Sequence, residues 1–228
     1  MANTESTVTI HMAASLDGFI ARKDGSVDWL ETADEFADGE TMDPGFVEAF
    51  LKSIDCYVMG SRTYETALSF EGKGFGWAYG DKPVFVLTSR HLPRTRDTVG
   101  FHAGDLGQFV NERLRPAFRS IWFVGGGRLC GDCLRLGLAD EVRYSVLPVL
   151  IGEGIRFFEQ LDQDVALHLL EVKGYQSGTV ALRYEVRKEM KRLGQAPEPV
   201  APGDRGPTGD SAKSADEIPA SIPKGHQS

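Results

Sequence analysis

The chain has 228 residues, 41% of them hydrophobic, and a formal net charge of −8 from 33 acidic against 25 basic residues. This length and apolar content suit one domain of ordinary core size with a tail, and an acidic chain without a lysine and arginine cluster speaks against binding a nucleic-acid backbone. No run approaches 18 apolar residues and no basic segment leads into an apolar one at the N-terminus, so neither a membrane span nor a secretory signal is expected, and the expected compartment is the cytoplasm.

In chain order, TVTIHMAAS reads as a strand, LDG as a turn and FIAR as a short extended run. DPGFVEAFLKSI carries Phe46, Val47, Phe50, Leu51 and Ile54 at helical spacing. DCYVMG is a short buried strand, SRTYETALSF opens a helix and KPVFVLTS is another strand. DLGQFVNERLRPAF places Leu106, Phe109, Val110 and Leu114 on one helical face. SIWFVG is a strand leading into the helix GRLCGDCLRLGL. Three strands follow, DEVRYSVLPVL, VALHLLEVKGY and GTVALRYEVR, the last two joined at YQSG. Repeated strand–helix–strand units imply right-handed crossovers and a largely parallel α/β sheet, while the short link makes the last two strands an antiparallel C-terminal hairpin. From about Gly194 the chain holds six of its eleven prolines and no aromatic residue. Such a segment cannot bury enough apolar area to offset its ordering entropy. The expected organisation is one domain over residues 1–190 and a disordered tail over 191–228.

Three strand ends carry residues suited to anions. Gly125, Gly126, Gly127 and Arg128 stand at a strand-to-helix junction, where N–H groups without neighbouring side chains can approach a phosphate and the helix start adds partial positive charge. Gly60, Ser61, Arg62 and Thr63 repeat the arrangement with two hydroxyls and a guanidinium. Leu87, Thr88, Ser89 and Arg90 add hydroxyls and a fork of donors suited to a phosphate monoester. Each also has a plainer reading, as a tight turn, a helix cap or a loop. A ligand with a pyrophosphate and a separate phosphate, such as NADPH, would use all three ends. The glycines do not form the G-x-G-x-x-G dinucleotide fingerprint, because position 130 is Cys.

Cys130 and Cys133 form a C-x-x-C. No second ligand pair at zinc spacing accompanies them, so no metal is expected; a redox dithiol stands beside the reading as small apolar residues in a helix. Asp43 followed by Pro44 reads as an N-cap with proline at the first helical position. His11, in mid-strand, reads as a core residue, and Glu48 as a solvated one.

MAASLDGFIA, YVMGSRTYETA, VFVLTSR, WFVGGGRL and VLPVLIGEGIRFF occur in the order found in the dihydrofolate reductase superfamily. The chain resembles most the reductase domain that accompanies a deaminase in riboflavin biosynthesis, over roughly residues 7 to 188. The zinc signature of the deaminase half, H-x-E with P-C-x-x-C, is absent from the sequence. The resemblance implies a three-layer dihydrofolate reductase-like fold, mostly parallel. It implies an NADPH-dependent reductase of a pyrimidine- or pteridine-like small molecule, with the phosphoribosylaminouracil and dihydrofolate as competing substrates. By position it sets Ala13 and Ile20 beside the nicotinamide, Gly60 to Thr63 around the phosphates, Leu87 to Arg90 on the adenosine side, and Gly125 to Leu129 at a glycine turn with a cis peptide between Gly125 and Gly126. It offers Asp17, Asp43 and Trp29 as substrate or ring contacts, against plainer readings as turn, cap and core. Cys130 stands where dihydrofolate reductases often have Tyr, which weakens the case for folate. The loop Pro148 to Gly154 is expected to shape the pocket. Arg22, Lys23 and Arg156 are sources of a cation for a phosphorylated substrate. Phe157, Phe158 and the edge of the last strands offer a partner surface for the homodimer that the resemblance implies. A non-catalytic NADP-binding sensor or scaffold module is the alternative from another functional class.

Overall fold

The computed structural model describes residues 6–31, 33–42, 44–159 and 161–188. β1 (Thr7–Ser15) alternates buried and half-buried residues, as a strand between two packed layers must. β2 (Phe19–Ala21) and a single 3₁₀ turn (Asp28–Leu30) follow, then α1 (Pro44–Lys52), β3 (Cys56–Gly60) and α2 (Ser61–Gly72). β4 (Val84–Leu87), β5 (Val99–His102), α3 (Leu106–Gln108), β6 (Ser120–Phe123) and α4 (Gly127–Arg135) continue the alternation. β7 (Glu141–Leu147), β8 (Ile155–Arg156), β9 (Leu167–Gly174) and β10 (Val180–Val186) complete the domain.

Eight strands form one sheet in the order β5-β4-β3-β6-β1-β7-β10-β9. β1 lies in the interior, parallel to β6 through Val8–Ile121 and to β7 through Ile10–Val142. β10 runs antiparallel to both β7 and β9, so the expected C-terminal hairpin closes one end of an otherwise parallel sheet. β2 and β8 make a separate antiparallel pair.

Alternation along the strands builds a core on each face. On one face Val8, Ile10, Met12, Val58, Ile121 and Phe123 pack with Phe109, Val110 and Leu114 and with Leu129, Cys130 and Cys133 of α4. On the other, Tyr57, Met59, Val84 and Val86 pack with Tyr64 of α2 and with Phe50 of α1 and Trp122. This is the three-layer α/β arrangement expected from the sequence.

Four local expectations change. The segment read as an α-helix from Leu106 makes one α-turn and then widens into a π-helix over Phe109–Leu114, with the Arg115 N–H donating to the Val110 carbonyl five residues back. The wider turn keeps Phe109, Val110 and Leu114 on one buried side. β5 was not anticipated, because a four-residue strand containing Gly100 carries little pattern. The two-residue β8 was equally hidden. Phe157 is not a surface residue: it is 2% exposed, with its ring 4.6 Å from that of Tyr144 and 4.4 Å from that of the half-buried Phe158. The tail expected over 191–228 lies outside the described residues.

Candidate active site

Parallel strands present their C-terminal ends on one edge of the sheet, and α2 and α4 both begin there. A cleft of about 1030 Å³ runs along this edge. Ala13, Ile20, Gly60 to Thr63, Leu87 to Arg90 and Gly125 to Leu129 all line it. Segments far apart in sequence therefore meet in one place, as a dinucleotide-sized ligand requires.

The glycines differ in what makes them necessary. Gly60 has an ordinary φ of −83°, and a Cβ built there would meet nothing within 4 Å. The fold itself does not require glycine at this point, so the space is left to the cleft. Gly126 has φ +90°, a region that disfavours side chains. Gly125 has φ +156°, and a Cβ there would come 2.9 Å from Thr63 Oγ1, so the Gly60–Thr63 and Gly125–Arg128 turns are packed on each other. A Cβ at Gly127 would overlap the Arg156 carbonyl oxygen, which fixes how closely α4 approaches β8. The Gly125–Gly126 bond is trans, not the cis bond that the resemblance implied; left-handed glycine conformations carry the chain round the turn instead.

Neither α2 nor α4 is capped by a side chain. A helix leaves its first N–H groups without intrahelical partners and carries partial positive charge there. With Ser61, Thr63, Arg62 and Arg128 around them, these two helix starts can receive a pyrophosphate. Arg90 is already engaged: its guanidinium donates to Glu65 through Nη1 at 3.0 Å and Nη2 at 2.6 Å. The pair is substantially exposed, and Arg90 holds the Glu65 carboxyl below its ordinary range. These residues fit a phosphorylated nicotinamide dinucleotide.

The proposed substrate contacts fall elsewhere. Neither Asp17 nor Trp29 lines the cleft. The Asp17 carboxylate accepts from the N–H of Gly152 at 2.7 Å and of Ile151 at 3.3 Å, so it ties the turn after β1 to the loop before β8. A hydrogen bond from Ser15, followed by those two N–H groups, lowers its pKa. The loop Pro148 to Gly154 is thus clasped against that turn, and the cleft is reached only beyond it, by Ile155 and Glu159. Trp29 is 5% exposed, with Nε1 unpartnered among the described residues, while its neighbours Val27 and Leu30 line the opening. Asp43 lies outside the described residues. Glu48 is exposed and pairs with Lys52 at 2.6 Å.

Sequence reasoning passed over an aromatic group at the same cleft: His11, Tyr57, Tyr79 and Trp122. The His11 ring stacks on Trp122 with centroids 5.0 Å apart. Tyr57 lies 5.6 Å from Trp122 and 4.9 Å from Tyr79. His11 Nε2 meets Ser145 Oγ at 3.2 Å, and its carbonyl accepts from Trp122 Nε1 at 3.1 Å. Burial, with help from Arg143, lowers the His11 pKa to about 4, so the ring is neutral at pH 7; burial raises the phenol of Tyr79 to about 12. The signal that could have found this group is the two-residue period of β1, which puts His11 on the same face as Ala13.

Cys130 and Cys133 are fully buried free thiols away from the cleft, and burial pushes Cys130 up to about 12 and Cys133 well above its ordinary value. They behave as small core residues, inert beside any reactive dithiol. Among the described residues no cluster of metal-ligating side chains occurs, and no helix is long and apolar enough to cross a membrane.

Comparison with known proteins gives the same picture. The uncharacterized Bacillus subtilis protein YwjB is 32% identical over 171 residues, 75% of this chain and 93% of its own. A solved protein of Shewanella sp. PV-4, named for riboflavin biosynthesis, superposes with a TM-score of 0.67 at 27% identity over 80% of this chain and 99% of its own. The deaminase/5-amino-6-(5-phosphoribosylamino)uracil reductase of Thermotoga maritima shares the fold at 15% identity and a TM-score of 0.57, over 80% of this chain and 57% of its own. The model of the RibD C-terminal domain matches residues 81–181, from before β4 into β10. With the cleft and the sheet order both in place, the chain belongs to the RibD C-terminal domain family.

Proposed function

We propose that the protein is an NADPH-dependent reductase of a planar pyrimidine- or pteridine-like heterocycle. The observation that carries this reading is the convergence of Gly60 to Thr63, Leu87 to Arg90 and Gly125 to Leu129 on one cleft with two uncapped helix starts. When bound, the dinucleotide supplies a hydride to a carbon of an unsaturated ring bond, the neighbouring atom takes a proton from water, and the nicotinamide is left oxidised. The protein's part is to bind and orient. The α2 and α4 starts hold the diphosphate. Thr88, Ser89 and Arg90 take the adenosine side. Ala13 and Ile20 would flank the nicotinamide, with Val27 and Leu30 lining the same opening.

A second reading, a non-catalytic NADP-binding module, draws on one observation: Asp17 is spent on the loop before β8, not on the cleft. Stopped-flow mixing of the purified protein and NADPH with a panel of pteridines and aminopyrimidines separates the two. The reductase oxidises NADPH with at least one ring compound in stoichiometric amount. Tight NADPH binding with no oxidation across the panel leaves the module.

The reading includes a homodimer. β9 is the edge strand and exposes Leu167, Leu169, Leu170 and Val172 at 44% to 55%. A second copy adding to the Leu167–Val172 stretch of this edge would cover the row.

A further inference from the structure

If the dinucleotide occupies the helix starts, the part of the cleft left to the substrate begins beside Ala13 with His11 and continues through Trp122, Tyr57 and Tyr79 to Leu51. The arginines lining the cleft are Arg62, Arg90 and Arg128, all on the dinucleotide side. No lysine or arginine lines the aromatic part among the described residues.

The nearby cations each have a partner, including Arg143, which stands opposite His11 on β7. Arg22 pairs with Asp28 at 2.8 Å and Lys23 with Glu153. Arg156 lies over the Phe19 ring at 5.3 Å. Arg143 pairs with Glu141 at 3.3 Å and covers Phe50 at 4.9 Å. Lys82 donates to the Leu51 and Lys52 carbonyls at 2.8 and 2.9 Å, closing the end of α1. The internal residues outside the description, Thr32, Asp43 and Gln160, and the undescribed side chains of Pro44, Phe46 and Val47, include no base. His11 adds no charge at neutral pH, because burial holds its pKa near 4.

An aromatic slot of this kind favours a flat ring, through stacked and edge contacts and through the phenol hydroxyls of Tyr57 and Tyr79. It penalises a phosphate, which would leave water without meeting a cation. We propose that this protein takes an uncharged, planar heterocycle without a phosphoribosyl group, in contrast to the Thermotoga maritima reductase, whose substrate carries one. The inference rests on the reductase reading for its assignment of the two ends of the cleft.

The test is a binding comparison that needs no turnover. An aminopyrimidine, its riboside and its 5-phosphoriboside are titrated by calorimetry into the protein alone and into its NADP⁺ complex. The free ring or riboside is expected to bind about tenfold tighter than the phosphorylated compound in either state. Leu51→Arg, a partly exposed lining position, is expected to reverse that order. Equal or tighter binding of the phosphorylated compound to the wild-type protein overturns the proposal, and so does the absence of binding by all three. Failure to bind NADP⁺ removes the reductase reading while the comparison on the protein alone still decides the substrate class.

Discussion

Gly60 separates a site glycine from a structural one. Its φ is ordinary and its Cβ position is empty. Gly60→Ala should therefore keep or slightly raise stability, by about 0.4–1 kcal/mol from the stiffer unfolded chain, while weakening NADPH about tenfold by crowding the diphosphate. Gly127→Ala should do the opposite kind of damage: the new methyl group meets the Arg156 carbonyl, and overpacking costs about 1–3 kcal/mol. Thermal melts with NADPH titrations on both variants check this, and equal behaviour would remove the distinction. Arg90→Ala should weaken NADPH far more than NADH if the 2′-phosphate takes over the fork that Glu65 now holds. Equal losses for the two coenzymes would contradict that placement. The glycine turns were legible as residues because Gly, Ser and Arg after a buried strand are few-purpose letters. His11 was not, because a lone histidine in a strand looks the same whether its face meets a helix or a cleft. Only the sheet order, which sets β6 and its Trp122 beside β1, decides that.

The turn after β1 and the loop before β8 act as one piece, because Asp17 joins them. Its carboxyl titrates lower in the folded protein than in the unfolded chain, so its contribution is complete above the ordinary value of 3.8 and is lost as pH falls through the lowered folded value. Asp17→Asn should therefore flatten the acid limb of the stability–pH profile, read by denaturant midpoints between about pH 5 and 2, and should raise amide exchange at Ile151 and Gly152. An unchanged acid limb would show that the clasp is not populated. At this scale the strands of the parallel sheet other than β5 were readable as alternating or continuously apolar runs, since each separates two cores. The π-helix was not, because Leu106, Phe109, Val110 and Leu114 satisfy an α-helical face as well as the wider turn that forms. β8 was hidden for a simpler reason: two residues have no period.

Over the whole molecule, the order of blocks in the sequence was enough to specify a mostly parallel three-layer sheet with its C-terminal hairpin. What the sequence left open was which side chains the closed sheet would share between packing and the site. Phe157 went to the core, and the apolar row of β9 stayed on the surface. That row predicts self-association: the wild-type protein should sediment as a dimer, and Leu169→Lys with Val172→Lys should shift it to monomer with its melting temperature little changed. A monomeric wild-type protein at micromolar concentration would contradict the edge-pairing proposal without touching the cleft.

The most direct test of the account is the crystal structure of the protein grown with saturating NADP⁺. The diphosphate is expected against the first turns of α2 and α4, touching Gly60 to Thr63 and Gly125 to Arg128, with the nicotinamide between Ala13 and Ile20. A dinucleotide bound on another face, or a cleft that stays without it, would contradict the account.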